Sequence, residues 1–420
     1  MKEFMIIIFG LCIEHILSSD PLSSKYGQLI FSSIIYRHGD RSIVNESYYQ
    51  DKWSNSSFWP MGYGQLTDNG VDQQYELGKW LRTRYCDFLP VKYSPNDIYV
   101  RSTDVDRTIV SALSNLSGMY PPVQRSDNQT DYHSQIVPVH TESIHQDKLF
   151  ALNSCPRFAE ELEKLKKESE VQMYFEKYDE IFKYINNKTR LTLDKNNILY
   201  TMDVYNLYDI FFIESLYNYT LPKWTKKIYP EPLRTIIIKK ETFATYNAVL
   251  KKLRLGPLLQ EVVTHMNKKI NGTLDPSRKL WIYSAHDFTI VNVLNSLNVF
   301  NNQTVPYASL LMLELRQNSR KNYVVTVSYR NSTRNEPYLL QVPGCSTKAC
   351  DLRTFEAILA PFVSTDRDLE CLPEHENDFF EVWIYLTTFI LIAVVLAIIS
   401  FIASDKIVIC FRKRTEYITL

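Results

Sequence analysis

Neither sign of charge is in excess in this chain: 47 Lys and Arg balance 47 Asp and Glu. A formal net charge of zero argues against a nucleic-acid partner, which needs a surplus positive field to collect backbone phosphates. Glycine is scarce, 11 in 420 residues, and neither a repeat nor a long low-complexity segment is visible, which sets aside solenoid and linker-dominated architectures. No Cys-x-x-Cys pair or histidine cluster occurs, so a metal centre would lack its usual ligands. What is abundant is tyrosine, at 28 residues. The length exceeds one average domain and suits an α/β core carrying an inserted cap.

The two ends predict a secretory route and a membrane anchor. Lys2 followed by the apolar run Met5 to Ile13 fits a cleaved signal over 1–19, too short to span a bilayer. Val382 to Ala403 is 22 residues without a charge, a helix of roughly 33 Å. Acidic Glu374, Glu376, Asp378 and Glu381 precede it, while Lys406, Arg412, Lys413 and Arg414 follow. The positive-inside bias therefore places a short tail, 404–420, in the cytosol and predicts a type I membrane protein. The polar, acidic stretch 365–381 reads as a stalk.

Nine Asn-x-Ser/Thr sequons precede that span, at Asn45, Asn55, Asn115, Asn128, Asn187, Asn218, Asn271, Asn302 and Asn331, as expected of a glycosylated luminal surface. Asn115 falls inside a helical pattern. Of seven cysteines, Cys12 lies in the signal and Cys410 beside the membrane exit. Spacing permits Cys345–Cys350 as a tight loop closure and leaves Cys86, Cys155 and Cys371 unassigned.

The most informative stretch is Ile34-Ile35-Tyr36-Arg37-His38-Gly39-Asp40-Arg41. Leu29 to Tyr36 reads as a buried strand that delivers His38, flanked by Arg37 and Arg41, to its carboxyl end. Ligand groups gather just beyond such strand ends in open α/β sheets. Two guanidiniums repel a proton from the imidazole and attract an anion, and an unprotonated imidazole nitrogen can attack phosphorus. A second apolar strand ends in Tyr99-Val100-Arg101-Ser102-Thr103, with a helix over Asp104 to Met119. A third ends in Ile282-Tyr283-Ser284-Ala285-His286-Asp287. Three strand ends thus supply an anion clamp, a nucleophile and a proton donor, the inventory for in-line phosphoryl transfer. Asp106-Arg107 reads as a local ion pair, Asp40 and Asp104 as partners that orient arginines, and His140 as a satisfied core histidine.

Strand, helix, strand, helix across Leu29 to Met119, with a helix over Thr67 to Asp87, predicts a parallel sheet built from crossover units. From Cys155 the chain turns charged and helical, and 152–271 is expected to form a mainly helical cap inserted between core segments 20–151 and 272–364. Tyr307 to Arg316 and Asn322 to Tyr329 look like a closing hairpin.

Five words resemble the histidine acid phosphatases, lysosomal and prostatic type, in the family's order: Tyr36 to Ser42, Gly64-Gln65-Leu66-Thr67, Val100 to Thr108, Pro138-Val139-His140-Thr141 and Tyr283 to Asp287. Two positions depart from the family's pattern, Ile43 where proline is usual and Phe288 where threonine is common, and both are expected to reshape the pocket rim. The resemblance implies an α/β fold, a mainly parallel sheet flanked by helices (phosphoglycerate mutase-like) with the inserted cap, beside the C-terminal transmembrane helix. It implies a metal-independent acid phosphatase, without cofactor, that hydrolyses phosphate monoesters. His38 would accept the phosphoryl group, Arg37, Arg41 and Arg101 would hold its oxygens, His286 would donate a further hydrogen bond, and Asp287 would protonate the leaving oxygen. It further implies a Cys155–Cys371 bridge and a homodimer. Competing readings are a narrow-specificity phosphatase for an inositol phosphate, nucleotide or phosphotyrosine, and a non-catalytic adhesion or receptor ectodomain. The ending Tyr417-Ile418-Thr419-Leu420 resembles tyrosine-based sorting signals read by clathrin adaptors, which points to the lysosomal or plasma membrane.

Overall fold

The computed structural model describes residues 20–44, 48, 51–124, 132–150, 155–199, 201–332, 335–373 and 383–400. The signal, Asn45, Asn128, the stalk from 374 on, and the tail with Tyr417 and Leu420 lie outside them. The chain divides into Met1–Arg367 and Asp368–Leu420.

In the first unit, seven strands form one sheet. They are β1 (Gln28–Arg37), β2 (Ile98–Ser102), β3 (Leu280–Ala285), β4 (Leu310–Gln317), β5 (Tyr323–Arg330), β6 (Tyr338–Leu340) and β7 (Ala349–Asp351). The order is β2-β3-β1-β4-β5-β6, with β7 also paired to β5. Only β2–β3 and β3–β1 are parallel; every other pairing is antiparallel. The sheet is therefore mixed, not mainly parallel. The expected hairpin is β4–β5, but β4 returns directly alongside β1, so the parallel part stops at three strands.

Those three strands position the site. Arg37 pairs with Ala285, and Ser102 with Ser284, so β1, β2 and β3 end at one level. Helices α1 (Asp68–Arg84) and α2 (Asp106–Met119) pack on one face of the sheet through Leu77, Leu81, Ala112 and Leu116. Thr67 caps α1, its hydroxyl accepting from Gly70 N at 3.1 Å. A Cβ on Gly39 would lie 2.3 Å from Gly70 O, and one on Gly70 would lie 2.1 Å from Asp40 O. Two glycines thus let the loop carrying His38 lie directly against the start of α1.

The α1–α2 seam corrects one sequon. Asn115 is fully buried, its amide donating to Gln74 O at 3.3 Å, and its backbone lies where Gly78 lacks a side chain. A glycan has no room there. Asn55, Asn187, Asn218, Asn271 and Asn302 are exposed, and Asn331 is half-buried.

Between β2 and β3 the chain is helical: α3 (Pro156–Lys166), α4 (Ser169–Glu176), α5 (Asp179–Thr189), α6 (Asp203–Leu216), α7 (Leu233–Phe243) and α8 (Ala248–Ile270). The first five build their own core around Phe175, Phe182, Phe211, Ile236 and Phe243, joined by Ile43 and Trp59 from the loop after β1. Helix α8 differs. Its Leu255, Leu258, Leu259, Val262 and Met266 pack with Phe31, Leu313 and Val325 of the sheet and with α9 (Asp287–Ser296) and α10 (Leu352–Leu359). Packing changes allegiance near the start of α8, earlier than the expected boundary at 271.

Cys345 and Cys350 are bonded to each other, and Cys155 and Cys371 are also in disulfides. Cys86 is free and half-buried. In the second unit, Trp383–Ser400 is an exposed helix of mean hydropathy 2.5, long and apolar enough to cross a membrane.

Candidate active site

His38 follows β1 directly, and its backbone is fixed on both sides. Its N–H donates to Ala285 O at 3.0 Å, and its carbonyl accepts from Ala308 N at 3.1 Å. The ring makes one diagnostic bond, Nδ1 to Gly39 O at 2.8 Å. A carbonyl only accepts, so the hydrogen resides on Nδ1 and the lone pair of the neutral ring on Nε2. Burial, then Arg37, Arg107, His286 and Arg41, hold His38 well below the usual imidazole range. It therefore resists protonation.

Arg37 donates from Nη1 to Val305 O at 2.6 Å and from Nη2 to Asp287 Oδ2 at 2.8 Å, with its guanidinium 4.2 Å from the Tyr307 ring centre. Arg41 donates to Ser42 O at 2.9 Å and lies 2.9 Å from Asp209 of α6.

Arg101 does not join them. Its Nη2 donates to buried Asp147 at 2.8 Å and its Nη1 to Ser102 O at 3.0 Å, and its guanidinium lies 5.9 Å from the Phe150 ring centre. Alternate strand residues face opposite sides of a sheet, and Arg101 is on the wrong side of β2. The third guanidinium at the site is Arg107, the second residue of α2. The pair with Asp106 expected from sequence gives way to a bond from Gln65 Nε2 to Asp106 at 3.0 Å. Arg107 is pushed down to about 10 by burial and by Arg41 beside it, as in a cluster of cations. The Nε–H groups of Arg37, Arg41 and Arg107 are all buried without a partner among the described residues. Three orphaned donors around one imidazole describe an anion site.

His286 is the residue before α9, and its Nε2 lies 3.0 Å from Thr103 Oγ1. Burial first, then Arg107, push His286 down to about 3. Asp287 opens α9; its Oδ1 accepts from Phe288 N at 2.8 Å. Its Oδ2 accepts from Arg37 and from the Tyr205 hydroxyl of α6. Burial opposes ionisation, but Arg37 and then Tyr205 outweigh it and hold this carboxyl below its ordinary value.

The expected residues His38, Arg37, Arg41, His286 and Asp287 thus meet, while Arg101 is replaced by Arg107. Tyr205 and Asp209 were not singled out from sequence. They lie on a cap helix far along the chain, and their only local signal is the i, i+4 spacing that puts both on one face. Asp40 accepts from Thr67, Asn69 and Tyr217 and ties the His38 loop to α1 and the cap, without holding an arginine. His140 is exposed, not in the core, and stacks on Tyr99 at 4.6 Å.

A model of the histidine phosphatase superfamily (branch 2) matches residues 28–330. Human prostatic acid phosphatase is 37% identical over 362 residues, covering 83% of this chain and 89% of that protein. Lysosomal acid phosphatase of Xenopus laevis is 34% identical over 374 residues, covering 87% and 83%. Among solved structures, Hafnia alvei phytase in complex with myo-inositol hexakis sulphate superposes at a TM-score of 0.61 with 18% identity, covering 82% of this chain and 99% of that one. Citrobacter braakii phytase gives 0.59 and 17%, with 82% and 99% covered. At such identity these two speak for the fold alone. The chain belongs to the histidine phosphatase superfamily, branch 2.

Proposed function

We propose that this protein is a membrane-anchored acid phosphatase that hydrolyses phosphate monoesters through a phosphohistidine. The observation that carries the reading is the neutral Nε2 of His38 within a ring of three partly unsatisfied guanidiniums. Arg37, Arg41 and Arg107 grip the non-bridging oxygens, and His38 Nε2 attacks phosphorus. The ester oxygen takes the proton of Asp287 as the P–O bond breaks, leaving an N–P bond on His38. Water then attacks phosphorus and gives a proton to the Asp287 carboxylate; the N–P bond breaks, and inorganic phosphate leaves with His38 neutral again. Acid favours this cycle, because Asp287 must be loaded with a proton against the pull of Arg37, while His38 resists protonation. The three guanidiniums bring the positive charge that a metal would otherwise supply.

Hydrolysis of 4-nitrophenyl phosphate by the detergent-purified full-length protein, measured across pH, tests the reading; no turnover at any pH would favour the adhesion or receptor alternative. Asp287→Asn is expected to slow alkyl phosphates by about 10²–10⁴-fold and 4-nitrophenyl phosphate much less, since an activated leaving group needs little protonation. Equal losses across a series of leaving groups would assign the acid elsewhere.

The finer placement follows the same reading: a type I topology anchored by the C-terminal helix, a Cys155–Cys371 bridge, glycans on exposed sequons, a homodimer, and residence in the lysosomal or plasma membrane. Tyr417 and Leu420 act as the sorting pair for a clathrin adaptor. Tyr417→Ala should strand the protein at the cell surface, and unchanged uptake of surface-labelled protein would remove that role.

A further inference from the structure

A cavity of about 450 Å³ adjoins the phosphoryl site at Arg107 and His286, within the size range of small-molecule pockets. Its apolar walls come from Phe158, Leu162, Leu199, Met202, Phe243 and Phe288. Phe288, the departure from the family's threonine, lies nearly parallel to the His286 ring, at 5.0 Å and 12°. The Arg254 guanidinium of α8 sits 5.2 Å from the Phe288 ring centre and 5.6 Å from that of Phe158. The result is an aromatic slot that starts at a catalytic imidazole and ends under a cation.

Among the described residues, Arg107, Lys240 and Arg254 line the cavity beside one carboxylate, Glu241. Burial, and then the nearby Asp287, push Glu241 up to about 7, against the pull of Lys240 and Arg254, so in acid it is neutral. Burial lowers Lys240 and Arg254, with Glu241 opposing the shift in both. A cation lining a largely apolar cavity attracts an anion carried by the ligand.

We propose that this cavity receives the leaving group, and that it selects monoesters of an aromatic alcohol carrying a second anionic group, the ring in the Phe288 slot and the anion against Arg254 and Lys240. The inference rests on the phosphatase reading and adds the class of alcohol to it.

A matched pair of probes isolates the second charge: 4-(2-carboxyethyl)phenyl phosphate and its methyl ester, whose phenol oxygens are electronically alike. With the detergent-purified full-length protein at pH 5.5, kcat/KM should favour the acid by about tenfold, the scale of one charge-assisted hydrogen bond. Arg254→Gln and Lys240→Gln should each bring that ratio toward one. Phe288→Thr should lower kcat/KM for both probes and leave their ratio intact. Glu241→Gln should raise the ratio above pH 7, where it removes a negative charge, and do little at pH 5.5. Because Asp287, Arg37, Arg107, His286 and Tyr205 also bear on this region, only the ratio, in which their shared effect cancels, is the readout. Turnover of both probes without preference for the acid, or a preference unmoved in both Arg254→Gln and Lys240→Gln, would overturn this inference while leaving the phosphatase intact. Failure to hydrolyse either probe or 4-nitrophenyl phosphate would instead bring down the reading beneath it.

Discussion

Replacing His38 with alanine is expected to lower turnover by roughly 10⁴–10⁶-fold, the scale seen when a covalent nucleophile is removed from an otherwise intact site. The fold should survive. His38 is held by its backbone, through Ala285 O and Ala308 N, and among the described residues its ring hydrogen-bonds Gly39 O alone. Its ring neighbours His286 and Tyr307, at 5.5 and 5.8 Å, keep their own contacts with Thr103 and with the Arg37 guanidinium. A small buried cavity remains, at a cost of a few kcal/mol. Rapid acid-free quenching of the wild-type protein during turnover should trap phosphate in an adduct stable to base and labile to acid, as a phosphoramidate is. The alanine variant should trap none, with its thermal transition still cooperative. Phosphate found on a serine or an aspartate, or a folded variant with its turnover retained, would dismiss His38 as the nucleophile.

The sequence made some of this site easy to see and hid the rest for physical reasons. A largely apolar run ending in a charged cluster marks a buried strand and its carboxyl end together, so His38, Arg37 and the His286–Asp287 pair were legible at once. The same feature concealed Arg101. In β2, Val100, Arg101 and Ser102 are all buried, so alternation does not reveal which face the arginine takes. Sheet direction failed similarly: β4 and β5 read correctly as a hairpin, yet no local pattern says that β4 lies antiparallel to β1. Tyr205, Asp209 and Glu241 are invisible to local reading because their chemistry arises only when α6 and α7 fold over strand ends distant in sequence. Helix α8 falls within the stretch expected to be helical, but its pairing with the sheet rather than the cap depends on what its leucines meet in space.

Arg107→Ala is expected to reduce kcat/KM by about 10²–10³-fold, the cost of one preorganised donor lost from a developing charge. Arg101→Ala should do far less to catalysis. The two differ in what they leave behind. Arg107 is already short of partners, being buried beside Arg41 and lowered to about 10, so its removal relieves the resting protein and injures the phosphoryl complex. Arg101 neutralises Asp147, which is 1% exposed and also accepts from Leu149 N and Phe150 N. Its loss strands a buried carboxylate at a cost of about 3–5 kcal/mol, to be read as a lower melting temperature rather than a slower reaction. A pH profile separates the roles further. Arg107 is among the cations that depress both His38 and His286, so without it both imidazoles gain protons at higher pH. A protonated His38 cannot attack phosphorus, and the acid side of the Arg107→Ala profile should therefore collapse first, with Arg107→Lys restoring much of it by returning the charge. Arg101→Ala, assayed well below its melting temperature, should keep the wild-type profile. Equal catalytic losses in the two variants, with the same shift in acid limb, would put Arg101 back among the phosphate ligands and require the guanidinium of β2 to leave Asp147 when substrate binds.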